Sequence, residues 1–165
     1  MTALDMLMDE HRAIEREIDV LLEVAADLEK RAPVPLDTVE ALIDFLQRVA
    51  DGVHHEKEER FLFPMLAEHG VMPDESIVGP LLLQHESGRF HVREMRNALA
   101  RLEQGAPGAA VDFGHAARAY AELLRAHIQT EDECLYPIAA RVLTPADDER
   151  LRGAFAELTV LVEKR

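Results

Sequence analysis

Positive charge is scarce in this chain: 18 Lys and Arg stand against 32 Asp and Glu, a formal net charge of −14. So acidic a surface repels phosphate, which excludes nucleic acid and anionic membrane surfaces as partners. The single cysteine, Cys134, excludes an internal disulfide and suits a reducing cytoplasm. Tryptophan is absent and there are only two tyrosines. No apolar run approaches the roughly 18 residues that a membrane span needs. The start, MTALDMLMDEHR, has neither the basic nor the apolar region of a secretory signal, so none is expected. Alternating β-branched residues are nowhere sustained, which leaves strands without support. What is present is 48% apolar residues in a chain of 165, enough for the core of one domain. Eight histidines are the unusual abundance.

Pro33 and Pro35, Gly70 to Pro73 with Gly79–Pro80, and Gly105 to Gly108 divide the chain into four long segments rich in Leu, Ala, Glu and Arg. Each carries apolar residues in steps of three and four, the pattern of a helix with one buried face. The four stripes run Leu4 to Leu28, Ile43 to Met65, Val78 to Leu102, and Phe113 to Cys134. They predict an all-α fold over 1–143: an antiparallel up-down four-helix bundle with helices of roughly 27–33 residues. A further short helix is expected over 144–165, with Thr144 as its cap, Pro145 in its first turn and Asp147 where a capping acid belongs. Its stripe of Leu151, Ala154, Phe155, Leu158, Leu161 and Val162 would pack on the bundle.

The stripes contain a contradiction. Each should be apolar, yet each carries one histidine: His11, His54, His85 and His127. Two of these are followed at i+4, on the same helix face, by Glu58 and Glu131. Imidazoles and carboxylates in one dry core are costly unless they are paired or bind a cation. This donor set suits first-row transition metals, and six ligands exceed the needs of one tetrahedral zinc. The second and fourth segments also echo each other. HHEKEERFLFP (54–64) and HIQTEDECLYP (127–137) share His, Glu at +4, an acid at +5, Leu at +8, an aromatic at +9 and Pro at +10. Within the first of these, His55 and Glu59 form a rival i,i+4 pair. Stepping back from His55 meets Asp51 and Arg48, a wet face, whereas stepping back from His54 meets Ala50 and Leu46, so His54 and Glu58 are the expected pair.

With these pieces the chain resembles the hemerythrin-like, or HHE cation-binding, family. LMDEHRAIE, HHEKEERFLFP, GPLLLQHESGRF and HIQTEDECLYP fall on four successive helices in the family's order, over about residues 1–140. The resemblance implies a centre of two non-haem iron ions, oxo- or hydroxo-bridged, that meets a small diatomic or a peroxide. It implies the metal ligands His11, His54, Glu58, His85, His127 and Glu131, with the two carboxylates bridging. Oxygen-carrying hemerythrins are similar but have a second His on the third helix, where this chain has Arg89 beside Gly88. Their fourth-helix carboxylate also follows its His at +5 rather than +4. This departure argues against reversible oxygen storage. Tyr120, on the face of His127, would fill the gap as a phenolate ligand or a donor beside the metal, or is ordinary core.

The other groups take plainer readings. His69 precedes Gly70 at a helix C-terminus, which favours a cation. His91 and His115 lie off the stripes and are expected to be solvated. His55 is at most an outer neighbour of the metal, and Cys134 reads as a small buried hydrophobe. Glu56–Glu59, apart from Glu58, and Asp147–Glu149 read as solvated faces. The expected role is sensing, scavenging or detoxifying oxygen, nitric oxide or peroxide, or iron handling. The rivals are a peroxidase- or catalase-like enzyme and a metal-responsive regulatory module. In the latter, the C-terminal helix would dock a partner or a second copy.

Overall fold

The computed structural model describes residues 1–163, and among these there are helices and turns but no strand. Helix α1 is Ala3–Glu29, α2 is Leu36–Leu46, α3 is Phe63–Glu68, α4 is Val78–Glu103, α5 is Ala109–Thr130, α6 is Tyr136–Val142 and α7 is Pro145–Glu163. The chain does not leave its helical path between α2 and α3 or between α5 and α6. Widened π turns bridge both gaps, over Gln47–His55 and Glu58–Leu62 in the first and Glu131–Leu135 in the second. The second and fourth expected helices are therefore single rods with an altered pitch. The end of the C-terminal helix expected over 144–165 falls partly on 164–165, outside the described residues.

Caps set the ends as composition suggests. Thr2 Oγ1 accepts from the Asp5 amide (3.1 Å) while Asp5 returns a bond to the Thr2 amide (2.7 Å). Thr144 and Asp147 repeat this reciprocal box at the start of α7, where Asp147 also bonds His69 at 3.0 Å. His69 thus pins the end of α3 to α7, and Asp147 is the capping acid that its place in the sequence predicts. Gly79–Pro80 is not a break: both lie in the first turn of α4, where a proline loses no helical hydrogen bond. Gly79 is there for space, since a Cβ would sit 2.6 Å from the Pro73 carbonyl oxygen.

Ion pairs show which rods meet. Arg125 reaches Asp19 and Arg118 reaches Glu29, between α5 and α1. Arg96 meets Asp44 and Arg89 meets Asp51, between α4 and the second rod, and Arg101 meets Asp112 between α4 and α5. In the first two sets the numbers rise on one rod as they fall on the other.

The interior has two apolar cores. One gathers Ile14, Ile18, Leu21, Ile43, Leu46, Met95, Phe113 and Leu124. The other gathers Ala3, Leu7, Leu62, Leu66, Leu81, Leu135, Leu151 and Phe155. Helix α7 completes the second core through Leu151 and Phe155, each worth roughly 1.5–3 kcal/mol on full burial. The Ala3 amide also donates to Asp148 (2.7 Å). The α7 stripe is shorter than expected: Leu161 is 61% exposed and belongs to the outer face. Between the two cores lies a buried polar layer.

Candidate metal centre

That layer is built by position along four rods. On α1, His11 falls between Leu7 of one core and Ile14 of the other, and on α4, His85 falls between Leu81 and Val92. The other two rods reach the same level at their π turns. The Phe63 amide donates to the Glu58 carbonyl and the Tyr136 amide to the Glu131 carbonyl, each five residues back. Pro64 and Pro137 come next in sequence. A proline inside a helix lacks its N–H and pushes on the carbonyl four residues earlier, and a widened turn relieves that clash. The His-x-x-x-Glu…Leu-aromatic-Pro echo is thus also a backbone device, which turns each glutamate inward.

The inner ring consists of His11, His54, His85, His127, Glu58 and Glu131, none more than 1% exposed. The imidazoles meet in pairs, His11 Nε2 to His54 Nε2 at 2.9 Å and His85 Nε2 to His127 Nε2 at 3.2 Å. Glu131 spans both pairs, one oxygen 3.1 Å from His11 and the other 3.2 Å from His127. Glu58 places a single oxygen, Oε2, between the pairs, 3.7 Å from His54 and 3.5 Å from His85. Its other oxygen accepts a 2.8 Å hydrogen bond from Tyr136.

An outer ring fixes the imidazoles. Each Nδ1 faces an acceptor: Asp132 for His11 (2.8 Å), Glu10 for His54 (3.0 Å), Glu59 for His85 (2.7 Å) and Gln84 for His127 (2.9 Å). A carboxylate can only accept, so Nδ1 carries the proton and a neutral ring turns a bare Nε2 lone pair inward. Cations back the three acids in turn: Arg12 on Asp132, Lys57 on Glu10 and Arg89 on Glu59. The two halves correspond around the layer. Glu10 and Gln84 each precede an inner histidine, Glu59 and Asp132 are the +5 acids of the echo, and Phe63 and Tyr136 stack on His85 and His11.

The donor set fits a pair of metal ions. Facing lone pairs at about 3 Å repel unless a proton or cation lies between them. Glu58 Oε2 and both Glu131 oxygens are buried without a hydrogen bond. Such groups cost several kcal/mol each when left uncompensated. Their acidities show the same conflict. Burial and the neighbouring Glu58 charge push the Glu131 carboxyl up to about 8. Burial pulls the other way at Glu58, but His54, His85 and His127 hold it well below the usual carboxylate range. Burial would lower His85, but Glu58, Glu59 and Glu131 outweigh it and raise it to about 9. Burial, with the charges of His85 and His54, pulls His127 down to about 3. In the absence of metal, protons do part of a metal's work.

The Hemerythrin HHE cation binding domain matches residues 2–139. The chain belongs to that family. Similar proteins include Uncharacterized protein Mb2018 of Mycobacterium bovis and Uncharacterized protein Rv1995 of Mycobacterium tuberculosis. Each is 25% identical over 161 residues, covering 95% of this chain and 61% of the relative. The chain therefore spans less than two thirds of the length of these curated relatives.

Against the hemerythrin pattern, all six expected ligands converge in one layer. His55 departs from expectation: it is 4% exposed, not on a wet face, and stacks flat on His85 at 3.8 Å. Stepping back in fours failed there because Gln47–His55 is a π segment, in which adjacent residues 54 and 55 both turn inward. For the same reason Cys134 is exposed rather than core: the π turn over Glu131–Leu135 brings Leu135 inward in its place. Glu59 is not merely solvated, because it holds His85. Arg89 stays outside the inner ring, bonding Asp51 and Glu59 at 2.7 Å each. Tyr120 is buried beside Gly88 and a cavity and forms no hydrogen bond to the inner ring among the described residues, while Tyr136 makes the contact to Glu58. Sequence reasoning missed Tyr136, whose signal was the aromatic at +9 of the echo.

Proposed function

We propose that this hemerythrin-family chain holds two non-haem iron ions and binds or reacts with dioxygen, nitric oxide or peroxide. The observation that carries this reading is the pairing of inward Nε2 atoms around three carboxylate oxygens that have no hydrogen bond. His11 and His54 would hold one ion and His85 and His127 the other, with Glu58 and Glu131 between them. Bound iron would supply the redox chemistry, with a coordination place for a small ligand. The protein's own part is to hold the imidazole tautomers through Asp132, Glu10, Glu59 and Gln84, and to keep bulk water out with two apolar cores. The Tyr136 hydroxyl keeps a proton beside Glu58 and 3.4 Å from His11 Nε2. Burial and the Glu58 charge push its acidity down, so the phenol stays protonated.

Opposite-running ion pairs along the rods support an antiparallel up-down four-helix arrangement over 1–143, with the helix Pro145–Glu163 added to it. Among the described residues no helix is long and apolar enough to cross a membrane. An acidic chain with one exposed, unpaired cysteine fits a reducing cytoplasm. The deciding experiment is elemental analysis and an optical spectrum of aerobically purified protein. About two irons per chain with oxo-bridge absorption is the expected result. Zinc alone, or no metal, overturns the reading. Multiple turnovers of hydrogen peroxide by the iron form would mark an enzyme.

A further inference from the structure

A cavity of about 220 Å³ opens beside the polar layer, between the π segment Gln47–His55 and helices α4 and α5. We propose that this cavity, lined by Gln47, Asp51, His55, Gly88, Arg89 and Tyr120, is the chamber through which a small anion reaches the His85–His127 half of the centre. The inference rests on the two-metal reading above and names the route and ligand class for it.

His55 marks the inner end. Its ring lies flat on His85, with centroids 3.8 Å apart, and 5.5 Å from His127. His55 Nδ1 is buried and has no hydrogen-bond partner. The nearest acid, Asp51, is 3.5 Å away and lines the same cavity. A buried imidazole nitrogen left without a partner beside a cavity is a place where a polar guest gains a hydrogen bond that the protein does not supply. Gly88 makes the room. A Cβ there would meet Tyr120 and Leu123 only at 3.8 and 4.0 Å, so the helix face is open where a side chain would fit.

Charge selects the guest. In a chain with a net charge of −14, the cavity is lined by three guanidinium groups, Arg89, Arg93 and Arg96, against the single carboxylate of Asp51. Arg89 is engaged by Asp51, Glu59 and Glu86, and Arg96 by Asp44. Among the described residues Arg93 forms no ion pair and stands exposed at the mouth. Arg93 is thus the guanidinium at the mouth that no carboxylate offsets, and such a cation favours the entry of an anion in a salt-dependent way.

The test uses the full chain, iron-loaded and oxidised, mixed rapidly with azide at several salt concentrations, with absorbance as the readout. Elemental analysis of each variant comes first. Gly88→Leu, which extends a side chain into the chamber, is expected to keep its metal and bind azide about tenfold more slowly. Arg93→Glu, on the surface, is expected to slow association about threefold at low salt and to flatten its salt dependence. Wild-type rates in both variants with full metal content overturn the chamber and leave the two-metal reading intact. A wild type that takes up no metal overturns both. If Gly88→Leu does not fold, an unchanged rate and salt dependence in Arg93→Glu suffice to overturn the proposal.

Discussion

The six side chains of the inner ring do not stand alone. His85 is held by Glu59, and Glu59 by Arg89; His11 is held by Asp132, and Asp132 by Arg12. Outer partners of this kind set ring orientation and ligand basicity, and losing one typically lowers metal affinity about 10–100-fold. Glu59→Ala is therefore expected to weaken metal binding by that order, read by competition with a chelator, while the fold survives. His54→Ala removes a ligand outright and is expected to leave no more than one metal per chain, whereas His55→Ala retains both. Two metals in His54→Ala would show that the inner ring is misassigned. The inner ring was legible because histidine on an apolar stripe is conspicuous, and because the echo supplied two registered copies. The outer ring was not: Glu10, Gln84 and Asp132 look like ordinary surface polar residues until the rods are brought together. Arg89 illustrates the limit. Its place one turn after His85 was plain, but only its side-chain direction shows that it stays outside the inner ring and bonds Glu59.

At the scale of the element, the π turns decide what the sequence could not. Stripe counting at 3.6 residues per turn located every rod; within the bundle it failed beside changes of pitch, at His55, which is buried, and Cys134, which is not, and in α7 it failed at the exposed Leu161. The prolines that drive two of these turns were visible, but they read equally well as helix ends. Gly79 looks like a break in the sequence, but its constraint is the Pro73 carbonyl 2.6 Å from where a Cβ would stand. Gly79→Ala is expected to cost about 1–3 kcal/mol, measured by urea unfolding, because backbone must shift to admit the methyl. Helix α7 carries a larger share. Phe155 is fully buried against the second core, and Phe155→Ala is expected to cost about 3–5 kcal/mol. Removal of α7 after Leu143 should accordingly destabilise the bundle itself, seen as a lower melting temperature before any partner is considered.

For the whole molecule, the buried layer couples folding to protons and metal. His85 is raised from 6.5 to about 9 and Glu131 from 4.5 to about 8, so the metal-free fold holds both protons more tightly than the unfolded chain. Their stabilising contribution is complete at low pH and is lost as pH rises through those values. His127 works in the opposite sense. It is lowered from 6.5 to about 3, so stability falls as pH drops below 6.5. The metal-free protein is expected to be most stable near about pH 6 and to weaken toward about pH 9. Metal replaces those protons and binds only the native state, so loaded protein should resist the alkaline loss. Thermal melts with and without chelator should therefore diverge as pH rises from about 6 to 9. A constant gap would show that the layer does not exchange protons for metal.

Lys57 offers a way to watch that coupling from a distance. It is only 2% exposed, its amine bonded to Glu10 and set 5.5 Å from the centre of the Phe155 ring. It therefore lies where α7, the outer ring and His54 meet, while Lys30 is exposed. An amine-acylating reagent should mark Lys30 at once and reach Lys57 only when the α7 end of the bundle opens. Mass spectrometry of that single acylation then becomes a clock for local opening. Metal should slow it, because a filled centre holds His54, and through Glu10 the lysine, in place.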